Sequence, residues 1–337
     1  MFYILDKSNK NKFFKIKNRF GSLFLILFYS CLYFFSNNFI YSQSIQKNDG
    51  EYLIPMGNIL QIDAELKNII VKNEVDNCPL KVGDSILKIE DKNINTLEDF
   101  DFVLSSLNKD KNISIIIRRD NSIFTLRCNK EDLEKINFNN LISGFATLTY
   151  INPKTKEFGA VGHAINITNN KKIPIKRGYI SFTDNLNIKK SHRGDVGCIN
   201  ATKNKVVGQF YNNTSYGIKG WVNNIDLSKY KKYKVASIDE VKLGKAQIIL
   251  QDNNNICKKY DIQILSIENQ KRPNSKGLKI KITDSRLLKQ TGGIVQGMSG
   301  TPIIQNNKII GAVSHALENN PSIGYGVHIQ WMLQSSK

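Results

Sequence analysis

Between Glu51 and about Lys130 the apolar residues switch between a period of two and a period near 3.6. "YLIPMGNILQIDA" and "KNIIVKN" predict strands, "DNCPLKVGD" predicts a turn, and "SILKIED" predicts another strand. In "LEDFDFVLSSL" the apolar side chains stand at Leu97, Phe100, Val103, Leu104 and Leu107, which is one face of a helix. "ISIIIRRD" and "SIFTLRC" predict a hairpin turning at Asp120 and Asn121, and the charged, Asn-rich "NKEDLEKINFNN" predicts a linker. From about Leu141 onward, short β-branched runs alternate with Gly, Asn and Asp turns: "GFATLTYI", "FGAVGHAI", "KVVGQFY", "KAQIIL", "LKIKIT", "TPIIQ", "KIIGAVS" and "GYGVHI". Few helical periods interrupt them. This half is therefore expected to be an all-β barrel or sandwich, with "IQWML" as a short terminal helix or strand.

The start of the chain follows another rule. Lys7, Lys10, Lys12, Lys15, Lys17 and Arg19 precede the apolar run Phe20–Phe35, and a polar stretch follows. This is the layout of a secretory signal or a single membrane anchor, cleaved or retained, so residues 1–43 are set apart from the fold and the rest is expected to be exported. At 337 residues the remainder has room for about two domains. The net charge is +19, but the lysines are scattered and no basic run is interleaved with aromatics, so nucleic-acid binding is not expected. The five cysteines are isolated, with no CxxC pair, and are read as small core residues, with one or two bridges left open for an exported protein.

Strand, strand, "LKVGDSILKI", helix, strand, strand over residues 51–130 resembles the PDZ domains attached to bacterial proteases. The resemblance implies that a peptide adds there as an extra strand, and by position the receiving loop falls on Gly57, Asn58, Ile59 and Leu60. A domain that only braces its neighbour is the alternative.

Candidate chemistry concentrates in "GGIVQGMSGTPIIQ" (292–305), where Gly297 and Gly300 bracket Ser299. Acyl transfer by serine needs a base for the hydroxyl proton, a group to orient that base, and N–H donors for the developing oxyanion. Gly297 permits a bend that aims its own N–H and that of Ser299 into one hole. A hairpin turn is the plain alternative. Of four histidines, His163 in "FGAVGHAI" ends a strand early in the β half, while His192, His315 and His328 lie elsewhere. An early histidine and a late Gly-x-Ser-Gly match the chain order of a chymotrypsin-type site.

"SGFATLTYINPKTKEFGAVGHAI" together with "TDSRLLKQTGGIVQGMSGTPIIQNNKIIGAVSHALENNPSIGYGVHIQWML" is similar to the stage IV sporulation protein B family of serine peptidases. So is the succession of membrane segment, PDZ domain and, over 141–337, a peptidase domain. Thr301 stands where the family pattern has Ser, and Ala164 where it has Gly. The resemblance implies a chymotrypsin-like double β-barrel with Ser299 as nucleophile, His163 as base and Asp284 as acid, and no metal or cofactor. Spacing alone leaves Asp184, Asp195, Asp226 and Asp239 open for the acid, and His315 is read first as a structural histidine of its strand, with a part in substrate preference as the alternative. The implied target is the extracytoplasmic part of a membrane-bound regulator, cut between the forespore and mother-cell membranes to trigger a late mother-cell sigma factor. Self-cleavage near the N-terminus belongs to the same expectation. A non-catalytic PDZ adaptor with an inactive barrel and a basic protein binding anionic polymer or lipid are the rival readings.

Overall fold

In the computed structural model, which describes residues 50–108, 112–120, 122–167, 171–270 and 272–334, the chain is mainly β. The predicted signal or anchor, residues 1–43, lies outside the described residues, among which no helix is long and apolar enough to cross a membrane.

β1 (Tyr52–Pro55) leads into β2 (Ile59–Val71), a single long strand. Only the far end of β2 enters the small α+β body. There β3 (Ser85–Ile89), α1 (Leu97–Ser105), β4 (Asn112–Arg119), β5 (Ser122–Asn129) and α2 (Lys130–Glu134) close over Ile69, Val71, Ile86, Ile115 and Leu133. α1 begins where Thr96 and Asp99 satisfy each other's backbone N–H groups in a capping box, and it turns Phe100, Val103 and Leu104 inward at the predicted spacing. β4 and β5 form the predicted hairpin.

Three expectations change. The core of the small body runs from Ile69 to Phe138, displaced from 51–130, because β1 and most of β2 pair with strands of the second half. The predicted linker is packed structure: Asn129 caps α2, Leu133 and Ile136 are buried, and Phe138 stacks on Phe100 at 4.6 Å. Three of the four residues of the expected receiving loop, Gly57, Ile59 and Leu60, are committed inside the protein. Gly57 N–H donates to Leu148 O, Ile59 N–H donates to Gln251 Oε1, and Leu60 is paired with Ala146 inside the β2 ladder. One of the bridges left open by the sequence is formed: Cys78 and Cys128 make a disulfide across the small body, whereas Cys198 and Cys257 are free.

The second half closes two rings of strands. β6 (Phe138–Ile151), β7 (Glu157–Ala160), β8 (Ile175–Lys189), β9 (Cys198–Thr214) and β10 (Gly217–Val222) join β2 in the first. Its antiparallel ladder runs β6–β2–β8–β9–β10–β7 and returns to β6. Leu60, Ala146, Leu148, Phe158, Ile180 and Phe210 fill it. β11 (Tyr233–Val235) pairs with β1 and leads to the second ring. That ring comprises β12 (Gly244–Gln251), β13 (Cys257–Ile267), β14 (Leu278–Ile282), β15 (Pro302–Gln305), β16 (Lys308–Ala316) and β17 (Ile323–His328). Its order is β12–β13–β14–β17–β16–β15, closing on β12 around Ile248, Ile262, Ile280 and Val313. Closure of the second ring leaves it no edge strand to protect. α3 (Ser285–Thr291) links β14 to β15, and α4 (Ile329–Gln334) ends the described chain. The sequence reading passed over α3, whose seven residues are too few for a periodicity to stand out.

Candidate active site

Ser299 sits on the loop between α3 and β15, and the loop's main chain is tied down one carbonyl at a time. Thr147 Oγ1 donates to Gly297 O at 2.8 Å and Thr147 N–H donates to Ser299 O at 2.8 Å. Thr301 Oγ1 donates to Met298 O at 2.6 Å, and Thr149 Oγ1 donates to Gly300 O at 2.6 Å. With every carbonyl from 297 to 300 held, the amides are fixed in direction. The Met298 N–H turns back to Val295 O, while those of Gly297 and Ser299 meet no acceptor among the described residues. Two unengaged amides beside a hydroxyl are what an oxyanion hole draws on. Glycine is obligatory at 300: φ is +96°, and a Cβ would stand 2.2 Å from Thr147 O.

His163 follows β7 through a tight reversal in which Val161 and Gly162 both have positive φ, +77° and +74°. A β-branched residue in that region is strained, and such strain persists only where surrounding bonds over-determine it. Here Val161 is buried and its N–H is held by Thr147 O. The reversal brings His163 Nε2 to 3.0 Å from Ser299 Oγ, across 136 residues of sequence. Nδ1 lies 2.8 Å from Ala164 O. A carbonyl accepts only, so the proton is on Nδ1 and Nε2 is left as the acceptor for the serine hydroxyl. Burial holds the imidazole below the ordinary histidine range, against the opposing pull of that carbonyl, which keeps it a neutral base. The hydroxyl has a second acceptor in Ser314 O, at 3.2 Å.

The structure brings Ser299, His163 and Gly297 together and leaves Asp284 elsewhere. Asp284 is the N-cap of α3: Oδ1 accepts from Arg286 N–H at 2.9 Å and Leu287 N–H at 3.3 Å, and the carboxylate is paired with the Arg286 guanidinium at 2.7 Å. Hydrogen bonds from Arg286, opposed by burial, hold it down at about 2. Asp184, Asp195 and Asp226 bond Asn204, Lys189 and Ser228 instead. His163 has no carboxylate partner among the described residues. The orienting group is the Ala164 carbonyl, which a search for acidic side chains passes over.

Of the other histidines, His192 is exposed, and His315 stacks 5.1 Å from His163 with its Nδ1 buried and unbonded. Burial foremost, then the neighbouring His163 and Lys276, push His315 down to about 4. His328 is buried with neither ring nitrogen partnered, and burial pushes it to about 4. A folded-state value below that of the unfolded chain means the unfolded chain takes the proton first. Stability is then lost as pH falls from about 6.5 to about 4. His328→Leu is expected to flatten that loss by about 2 kcal/mol, read as urea unfolding midpoints at pH 7 and pH 4.

Thr147, Thr149, Thr301 and the Ala164 carbonyl are the members that sequence reasoning missed. Threonines at alternate positions of "ATLTY" mark one face of a strand, but nothing local says what that face grips.

A search of curated proteins gives no match. Among solved structures the chain is similar to the inactive form of the Rv3671c protease from M. tuberculosis H37Rv: 11% identity, 57% of this chain and 81% of that one covered, TM-score 0.31. It is also similar to the HtrA-type protease AlgW with a decapeptide: 10% identity, 87% and 65% covered, TM-score 0.36. The family model of the SpoIVB peptidase S55 matches residues 136–333, more than half of the chain and the whole span from Phe138 to Ser299 and beyond. The chain is therefore a serine peptidase and belongs to the SpoIVB peptidase S55 family.

Proposed function

We propose that Ser299 is the nucleophile and His163 the general base of an endopeptidase built on two chymotrypsin-type barrels. The observation that carries this reading is the 3.0 Å approach of Nε2 to Oγ with Nδ1 committed to Ala164 O. Nε2 takes the hydroxyl proton as Oγ bonds to the substrate carbonyl carbon, and the negative charge moves to the carbonyl oxygen. The Gly297 and Ser299 amides receive that oxygen. The imidazolium then gives its proton to the leaving amine, and water repeats the sequence to free the acyl group. Ala164 O, a neutral acceptor, does the orienting work that a carboxylate does elsewhere.

The substrate assigned here is the extracytoplasmic part of a membrane-bound regulator in sporulation signalling, with the chain's own N-terminal region as a second. Family membership and the basic-then-apolar start of the chain support this, as they support action between the forespore and mother-cell membranes with the N-terminal segment in or near a membrane. The small α+β body is read as a PDZ domain, supported by its helix and hairpin at the predicted places. The test is covalent: a fluorophosphonate probe is expected to label the purified chain at Ser299 and to leave Ser299→Ala unlabelled. Equal labelling of both proteins sinks the assignment and leaves the inactive-adaptor reading.

A further inference from the structure

Beside His163 lies a cavity of about 260 Å³ that the proposed chemistry does not use. Ile62, Ala64, Ala146, Val161 and Ile165 wall it, and the imidazole of His163 is its one titratable group among the described residues. An apolar cavity of about 150 Å³ already admits benzene, so this volume takes a leucine or phenylalanine side chain.

The strand along its rim has an unused edge. Thr147 directs both main-chain groups away from β2: its N–H goes to Ser299 O and its carbonyl accepts from Val161 N–H. Main-chain groups of an antiparallel strand alternate in direction along the chain. In the unbroken register Ile59↔Thr147, Gln61↔Phe145, Asp63↔Ser143, the N–H and carbonyl of Phe145 and Ser143 therefore point the same way as those of Thr147. On that side β7 pairs with β6 only from Leu148 onward, so these groups have no partner among the described residues. An extended peptide lying over Ser299 meets this edge next.

Which half of the peptide it meets follows from the proton. His163 Nε2 delivers it to the amine of the residue after the cut, so that residue lies over the imidazole and its followers run toward Phe145. We infer that the cavity is the subsite for an apolar side chain of the substrate segment after the scissile bond, that segment adding as a strand to Phe145. The inference rests on the peptidase reading above and names its substrate chemistry: an extended segment with Leu, Ile, Met or Phe at one of the first two positions after the cut. A charged side chain there is rejected, having no partner in the cavity.

The experiment digests a synthetic random-sequence peptide library with the purified full chain and sequences the new N-termini by mass spectrometry, with fluorophosphonate labelling run in parallel. Apolar residues are expected to be enriched about tenfold over charged ones within the first two positions. Gly144 stands on the rim, and a Cβ there meets nothing within 4 Å. Gly144→Trp places an indole across the mouth and is expected to shift the preference to Gly, Ala and Ser. A labelled wild-type protein without the enrichment overturns the subsite alone, as does a labelled Gly144→Trp with the wild-type profile. A wild-type protein that neither labels nor cuts overturns the peptidase reading and the subsite with it. If Gly144→Trp fails to label, the wild-type profile decides.

Discussion

His163→Ala is expected to lower kcat/KM by about 10,000-fold, while Asp284→Asn leaves it within about threefold. The first figure follows from removing the only base within reach of Ser299 Oγ among the described residues. The second follows from what Asp284 touches: the first amides of α3, the Asp261 N–H and the Arg286 guanidinium, with no bond to His163. Asparagine caps a helix as well as aspartate does, so the exchange keeps the cap and gives up an ion pair whose Arg286 partner is two-thirds exposed, with the 3.3 Å bond from the Asp261 N–H. Asp284→Ala loses the cap as well and should cost about 1–2 kcal/mol of stability, read as a lower urea midpoint with kcat preserved in the protein that remains folded. A collapse of kcat in well-folded Asp284→Asn would overturn this account and restore a catalytic carboxylate. The pH profile supplies an independent check. Burial lowers the His163 pKa, so the neutral, competent ring persists below the ordinary histidine value and the acid limb of kcat/KM falls below pH 6.5. The neighbouring His315 is neutral through that range and adds no opposing charge until about pH 4.

Ser299 and His163 were legible because each carries a local signature: glycines flanking a small hydroxyl, and a histidine released by glycine at a strand end. Their meeting was not legible from spacing, since 136 residues and two rings of strands separate them; the resemblance to a peptidase family supplied the pairing. Gly57 was misread for a related reason. A glycine before a strand looks the same whether its amides face solvent or, as here, a neighbouring strand, and only the β2–β6 ladder distinguishes the two. Asp284 shows the complementary error. The same Asp-Ser-Arg run serves as a helix cap or as a triad acid, and the seven-residue helix it caps was too short to announce itself. The Cys78–Cys128 bridge joins a loop to a strand 50 residues on, a pairing set by the fold of the small body and by nothing in the cysteine spacing. Strand identities survived well, because alternation is a local property; the ring to which β1 and β2 belong is not.

Thr147→Val is expected to reduce kcat by about 100-fold with KM little changed, although Thr147 touches no reacting atom. Valine keeps the shape of threonine and its backbone N–H, so the bond to Ser299 O remains. What disappears is the hydroxyl that donates to Gly297 O and packs 3.2 Å from Thr301 Oγ1. The Gly297 carbonyl is the other end of the peptide that carries the Met298 amide, and that peptide joins the two whose amides, Gly297 and Ser299, are assigned to the oxyanion. Freed and buried, that carbonyl costs about 1–3 kcal/mol unless the peptide turns to find a donor, and such a turn changes ψ of Gly297 and φ of Met298, which set the angle between the two oxyanion amides. An amide displaced by about 1 Å binds the ground-state carbonyl nearly as before but fails the oxyanion, and the loss therefore falls on kcat. A threonine that merely fills space predicts a lower melting temperature and unchanged kcat. Two further readouts separate the cases: the acid limb of the pH profile should stay where His163 puts it, and Thr147→Ser, which restores the hydroxyl without the methyl, should recover most of kcat. A Thr147→Ser enzyme as slow as Thr147→Val would show that the methyl packing, and not the hydrogen bond to Gly297 O, holds the loop.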